Sequence, residues 1–329
     1  MSNIDFLGVG DVVTDAFIRL KDAHIHCKVN KKDCELCMSF GSKVPYESVT
    51  VCPAVGNSAN ACVAAARLGL SSALVSNIGD DYYGKECLEQ FKKEGVSTKF
   101  IKTHKGAKTN YHYVLWYGDD RTILIKHEEF PYAIPEIGSP KWFYLSSLSE
   151  HSLPFHKEIL SYLKAHPEIR LAFQPGTFQM KLGLEKLEDL YARTEVFFSN
   201  VEELRAILGD FQTELTECMK KLAGYGPKIV VTTDGKNGAY LYDGKDAYFM
   251  PPYPDKNPPL ERTGAGDAFS STFVIALALE KNHEEALKWA SINSMAVVQE
   301  IGAQKGLLTR GEIAVYLESA PTDFKLKKL

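Results

Sequence analysis

The run Thr263-Gly264-Ala265-Gly266-Asp267 sets a carboxylate behind two glycines. It opens a nearly all-apolar stretch, with Ala268, Phe269 and the residues from Phe273 to Leu279, of the kind that forms a helix buried on every side. Asp267 would then lie in the first turn of a buried helix. The glycines let a ligand approach the backbone closely. The unpaired N–H groups there, with the positive end of the helix dipole, form an anion site. A base beside an anion hole is what transfer of a phosphoryl group to a hydroxyl requires. The same spacing also suits an Asp that only caps a helix, and the run alone leaves both readings open.

Asp267 can act only if the rest of the chain builds a frame around it. Hydrophobic residues are 45% of the 329 and charged residues 24%, enough for a core that needs no disulfide or metal. A net charge of −4 implies no basic face, which excludes nucleic acid and an anionic membrane as expected partners. No run approaches the roughly 20 apolar residues of a membrane span. Met1-Ser2-Asn3-Ile4-Asp5 has no basic region of a signal peptide, so a cytoplasmic location is expected. The seven cysteines, an odd number, are then expected to be free or metal-bound.

Strand and helix patterns alternate along the chain. Strands are expected at 4–10, 73–78, 142–145, 171–173, 195–199 and 228–232, and a hairpin at 238–242 and 246–250. Helices are expected at 58–70, 84–94, 154–165, 184–191, 201–208, 265–280 and 283–300. Such repetition implies a mostly parallel sheet with helices on both faces and a ligand site outside the carboxyl ends of the strands. Two segments, 14–48 and 110–126, break the rhythm and read as a small β-rich flap outside the main sheet.

Five ordered motifs carry a resemblance to the ribokinase-like (PfkB-type) carbohydrate kinases, over nearly the whole chain from Gly8 to about Leu308. Gly264-Ala265-Gly266-Asp267 matches the C-terminal signature of that family. The run from Ala54-Val55-Gly56-Asn57-Ser58-Ala59-Asn60 to Arg67-Leu68-Gly69 is similar to its N-terminal signature, with Val55 in place of the first Gly. The others are Asn77-Ile78-Gly79-Asp80-Asp81, Asn200-Val201-Glu202-Glu203, and Thr233-Asp234-Gly235-Lys236-Asn237-Gly238.

The resemblance implies a ribokinase-like three-layer α/β/α sandwich with a mostly parallel central sheet and a small β-rich lid. It implies one kinase domain over 1–329, with lid segments at about 12–50 and 108–128. ATP and Mg²⁺ are the implied cofactors. Gly264, Ala265 and Gly266 would form the anion hole and Asp267 would deprotonate the acceptor hydroxyl. Glu203 would organise the waters of Mg²⁺, with Asn200, Thr233, Gly235, Gly238 and Thr263 along the nucleotide. Asp11, Asp15, Gly56, Asn57 and Asn60 would bind the acceptor, a carboxylate being suited to a vicinal diol. Residues from Asn293 to Ala303 would flank the adenine. A homodimer formed through the lid is also implied.

The chain departs from the family pattern in places. Glu261-Arg262 precedes Thr263, which bears on the monovalent cation that many relatives bind. Gln174-Pro175-Gly176-Thr177 replaces an Asp-x-Asn-x-Arg pattern, so no particular sugar is carried over. Cys27, Cys34, Cys37 and Cys52 form an unusual cluster, for which free thiols, a structural Zn²⁺ site and a regulatory disulfide are the expectations, in that order. The leading expectation is ATP-dependent phosphotransfer to a hydroxyl of a small sugar. A nucleoside kinase is the alternative, with Tyr111, Tyr113 and Trp116 available to stack a base. Rivals of other classes are a non-catalytic sugar- or nucleotide-binding protein, which would not need Asp267, and a zinc-dependent interaction module.

Overall fold

The structure, a computed structural model, describes residues 4–27, 34–118 and 120–329. Strand β1 (Phe6–Val9) is buried at every residue. Alternation divides it between two cores: Phe6 joins one hydrophobic cluster, Leu7 and Val9 the other. A strand covered on both faces belongs inside a sheet. Accordingly β1 lies between β6 (Ser72–Gly79) and β10 (Trp142–Leu145), parallel to both.

The sheet continues through β7 (Ile101–His104) beyond β6, and through β11 (Arg170–Phe173), β12 (Val196–Asn200) and β13 (Ile229–Thr233) beyond β10. All these neighbours pair in parallel. Then β14 (Ala239–Tyr242), β15 (Ala247–Met250) and β16 (Lys327–Lys328) extend the edge antiparallel, giving ten strands among the described residues.

Helices cover both faces. On one, the Ala-rich helix Asn57–Arg67 is buried from Ser58 to Ala65 and packs against the helix Ala265–Ala278. On the other, Phe155, Ile159 and Leu163 of one helix and Cys218, Met219 and Leu222 of another fill the second cluster.

The expected βα order is present, with ends shifted by a few residues. One expected helix, 184–191, is in fact two: Thr177–Lys186, kinked at Gly183, and Glu188–Arg193. The helices Leu215–Ala223 and Arg310–Glu318 and the edge strands β7 and β16 were not expected.

Outside the main sheet, β2 (Val13–Leu20), β5 (Tyr46–Val55), β8 (Asn110–Tyr117) and β9 (Asp120–Leu124) form a four-stranded lid in the order β5-β2-β8-β9. They come from the two expected segments, except that β5 runs on to Val55. A third sheet pairs β3 (His24–Cys27) with β4 (Cys34–Cys37). Residues 28–33 and 119, which belong to the expected lid segments, lie outside the described residues.

This hairpin corrects the zinc expectation. Its register sets Cys27 opposite Cys34, and the two form a disulfide. Cys37 is exposed at the other end, opposite His24, and Cys52 lies in the lid sheet beside Asp15. Strand pairing therefore divides the four cysteines. Among the described residues no three His, Cys, Asp or Glu side chains gather as a metal site. The expectation of unpaired cysteines also fails for Cys27 and Cys34.

Candidate active site

Asp267 is the third residue of the helix Ala265–Ala278 and is 9% exposed. Three side-chain amides donate to its carboxylate. Asn57 reaches Oδ1 at 2.7 Å, Gln174 reaches Oδ1 at 3.3 Å, and Asn60 reaches Oδ2 at 2.8 Å. Burial raises the pKa of Asp267; the three amides oppose that rise, and the charge of Asp15 adds to it. The amides are themselves held. Gln304, 7% exposed, donates to Asn60 Oδ1 at 3.0 Å and to the carbonyl of Ala54 at 2.7 Å. Gln174 Oε1 accepts from Tyr144 and from Ser270.

The helix end beside Asp267 is open. Its N-cap, Gly264, has φ +83° and offers no side-chain acceptor. The first turn-to-turn bond is Ala268 N to Gly264 O, and Ala265 N makes a long 3.5 Å bond to Arg262 O, so the N–H groups of Gly266 and Asp267 face outward with the helix dipole. The backbone before it is clamped by Glu261, only 2% exposed. One carboxylate oxygen accepts from Thr263 N at 2.6 Å, the other from Gly302 N at 3.0 Å. Thr263 Oγ1 is buried without a partner.

The residues expected to hold the acceptor gather at the carboxyl end of β1. Gly56 has φ +119°, and a Cβ there would fall 2.5 Å from the carbonyl oxygen of Asp11. Tyr132 donates to the Asp11 carboxylate at 2.7 and 2.9 Å. Asp15, on β2, is the register partner of His112 on β8 and of Cys52 on β5. His127 adds its ring 5.3 Å from that of His112.

On the opposite side, Asn200 and Thr233 are register partners at the ends of β12 and β13. Asn200 and Glu203 form a capping box: Asn200 N donates to Glu203 Oε2 at 2.9 Å and Glu203 N to Asn200 Oδ1 at 2.7 Å. The pKa of Glu203 is raised by burial and by the charges of Asp267 and Glu202. A half-buried Glu203 whose ionisation the Asp267 charge opposes fits a cation held largely by water and phosphate. Gly235 and Gly238 bound the tight turn after β13, both at positive φ.

Some expectations are not met. Asn293, the first residue of the segment expected beside the adenine, is itself fully buried, donates to Thr272 and accepts from Leu308 N, which gives it a structural role. Tyr111 and Tyr113 alternate with His112 along β8 and so point away from the wall it forms with Asp15. Trp116 is 3% exposed, under the Arg19 guanidinium. The base-stacking expectation has no support in these positions. Conversely, sequence reading missed His112, His127, Tyr132, Gln174, Gln304 and Glu261 as parts of the site. Gln174 and Glu261 were visible only as departures from a motif.

A buried carboxylate at an open helix N-terminus, with Asp11 and Asp15 on one side and the ends of β12 and β13 on the other, is an arrangement that suits phosphoryl transfer to a hydroxyl. The description "pfkB family carbohydrate kinase" matches residues 22–310. A ribokinase of Bacillus subtilis is 31% identical over 266 residues, which are 78% of this chain and 85% of that protein. A 5-dehydro-2-deoxygluconokinase of the same organism is 25% identical over 295 residues, 83% and 89% of the two chains. The solved structure of Arabidopsis thaliana ribokinase complexed with ribose and ATP superposes with a TM-score of 0.78 at 20% identity, covering 96% of this chain and 99% of the other. The chain belongs to the pfkB family of carbohydrate kinases, and with it to the ATP-dependent phosphotransferases that use an alcohol as acceptor.

Proposed function

We propose that the protein transfers the γ-phosphoryl group of ATP to a hydroxyl of a small sugar or sugar-like acceptor, with Asp267 as base and the backbone from Gly264 to Gly266 as anion hole. The observation that carries this is the Asp267 carboxylate, buried, triply hydrogen-bonded and set at an uncapped helix end. Oδ1 already accepts two amide bonds and Oδ2 one, so Oδ2 keeps the free lone pair that takes the acceptor's proton. A pKa raised by burial makes the carboxylate a better proton acceptor than an exposed Asp. The outward N–H groups of the first helical turn stabilise charge on the transferred group. Thr263 Oγ1, buried and unpaired, supplies a further donor beside them. Mg²⁺, when bound near Glu203, would neutralise phosphate charge. Asn200, Thr233, Gly235 and Gly238 line the nucleotide side in this reading. Glu261 already links the Thr263 loop to the Gly302 loop, which supports a reading with no monovalent cation there.

Screening neutral and acidic sugars and nucleosides for ADP release with Mg-ATP, against Asp267→Asn, tests the reading. No turnover with any acceptor would sink it.

Asn60→Ala separates the base from a mere cap. The lost donor can only raise the Asp267 pKa further. Since the base must be ionised, the acid limb of kcat/KM against pH is expected to move to higher pH. An unmoved limb would mean that Asp267 is not the titrating group.

The reading extends to a homodimer. Val51, Ala16, Tyr113 and Leu124 form one register row across the outer lid face. Val51, Tyr113 and Leu124 are each about half exposed, and Val49 (45%) lies nearby on the same face. Light scattering after gel filtration is expected to give twice the chain mass, and Val51→Glu to give the monomer. A monomeric wild type at micromolar concentration would refute this.

A further inference from the structure

Buried polar atoms in folded proteins are paired. The acceptor side of this pocket breaks that rule three times. Asp15 Oδ1, His112 Nε2 and His127 Nδ1 are buried and have no hydrogen-bond partner. Asp15 and His112 are each 8% exposed. The three atoms belong to one wall. His112 Nδ1 stands 3.5 Å from Asp15 Oδ1, across the β2–β8 pairing. His127 Nδ1 is 3.3 Å from Asp11 Oδ2 but out of line for a hydrogen bond. Tyr132 fixes Asp11 from behind, and Phe178 meets the His127 ring edge-on at 5.8 Å.

Resting on the kinase reading, which makes this the acceptor pocket, we propose that His112 and His127 determine its specificity. With Asp11 and Asp15 they hold the hydroxyls that are not phosphorylated, select an uncharged polyhydroxy acceptor, and turn away acceptors that carry a carboxylate. Two arguments lead there. The first is matching of donors and acceptors. Imidazole nitrogens and carboxylate oxygens side by side call for groups that both donate and accept, which is the property of a hydroxyl. The second is charge. Asp11, Asp15 and Asp267 all serve this pocket, and among the described residues their side-chain partners are amides, a phenol and the two imidazoles, with no Lys or Arg. Lys181 is exposed, 5.5 Å from the Phe178 ring. Even with both imidazoles protonated, three negative charges outnumber two positive ones. A carboxylate on the acceptor would be desolvated against like charge. The relatives act on both kinds of acceptor by name, a ribokinase and a 5-dehydro-2-deoxygluconokinase, so the choice is a property of this chain's own wall.

The test reads binding apart from turnover. Calorimetry on wild-type protein without nucleotide, at one fixed pH, compares aldoses, ketoses and alditols with their aldonic and uronic acids; a nucleoside arm tells a free sugar from a ribose held through its base. At least one uncharged acceptor is expected to bind, with its acid at least about tenfold weaker. His112→Leu and His127→Leu are each expected to weaken it about tenfold or more, with ADP binding retained as evidence of folding. His112→Gln places an amide near the lost Nε2 and His127→Asn one near the lost Nδ1, and both are expected to recover most of the affinity. An acid that binds as well as its neutral counterpart, no binding by any uncharged acceptor, or Leu variants that bind like wild type would overturn the proposal. The kinase reading fails separately, if wild type binds an uncharged acceptor and still releases no ADP from Mg-ATP.

Discussion

Asp267→Asn is expected to lower kcat by about 10³-fold while KM for ATP stays near the wild-type value. The substitution keeps the volume of the side chain and removes its capacity to take a proton. In the proposed reading ATP is held by the helix end, the Thr233 turn and Thr263, none of which needs the carboxylate. The variant also carries a signed stability expectation. In the folded protein the Asp267 pKa is raised, chiefly by burial. A raised acid pKa means that the charge is held less favourably in the native state than in the unfolded chain, so above the unfolded pKa it lowers stability. Neutral Asn relieves that cost, although its amide nitrogen must turn away from the three donors around it. The melting temperature at neutral pH is therefore expected to equal or exceed that of wild type, a trade of stability for activity often met at catalytic sites. Retention of more than a tenth of wild-type kcat would refute the base assignment. Loss of activity with a large fall in melting temperature would point instead to a structural cap.

The contrast between what was legible and what was not follows from the range of the interactions. The helix bearing Asp267 was legible because its signals are local: two glycines, then an unbroken apolar run. The same holds for Asn57 and Asn60, which sit one turn apart at the start of an Ala-rich helix, and for Asn200 and Glu203, whose capping box needs only four residues. Their meeting was legible only through the order of the motifs. His112, His127 and Tyr132 carry no local signal. Asp15 meets His112 through strand pairing across nearly a hundred residues, and Tyr132 meets Asp11 across 121. Gln304 reaches Asn60 from 244 residues away. The cysteines mark a different limit. Cys34-x-x-Cys37 has the spacing of a metal knuckle, but in a hairpin the register decides partners, and it gave Cys34 to Cys27. Likewise Tyr111 and Tyr113 read as base-stacking residues until the period of a strand placed them on the face opposite His112.

Gly264→Ala is the second change with a large expected effect, and it bears on the anion hole, not the base. The residue has φ +83°, where an L side chain is strained by roughly 1–2 kcal/mol. A Cβ there would also fall 2.3 Å from Ala303 Cβ and 2.5 Å from its Cα, far inside contact distance. The backbone must move, and the part that moves is the uncapped helix end. A fall in kcat of about 10²-fold or more is expected, the size seen when one oxyanion donor is lost, together with a lower melting temperature. Gly266→Ala is the internal control. Its φ is not in the left-handed region and a Cβ there meets nothing within 4 Å. Inside a helix Ala is better than Gly by about 1 kcal/mol. This variant should therefore melt no lower than wild type, and its activity should fall only if phosphate occupies the open space above Gly266. Adding Ala303→Gly to Gly264→Ala removes the closest contact but leaves the strain and the approach of the Ala303 Cα, so partial recovery is expected. Full activity in Gly264→Ala would show that the loop tolerates displacement and that the helix end is not the anion hole. No recovery in the double variant would place the whole effect in the backbone conformation of Gly264.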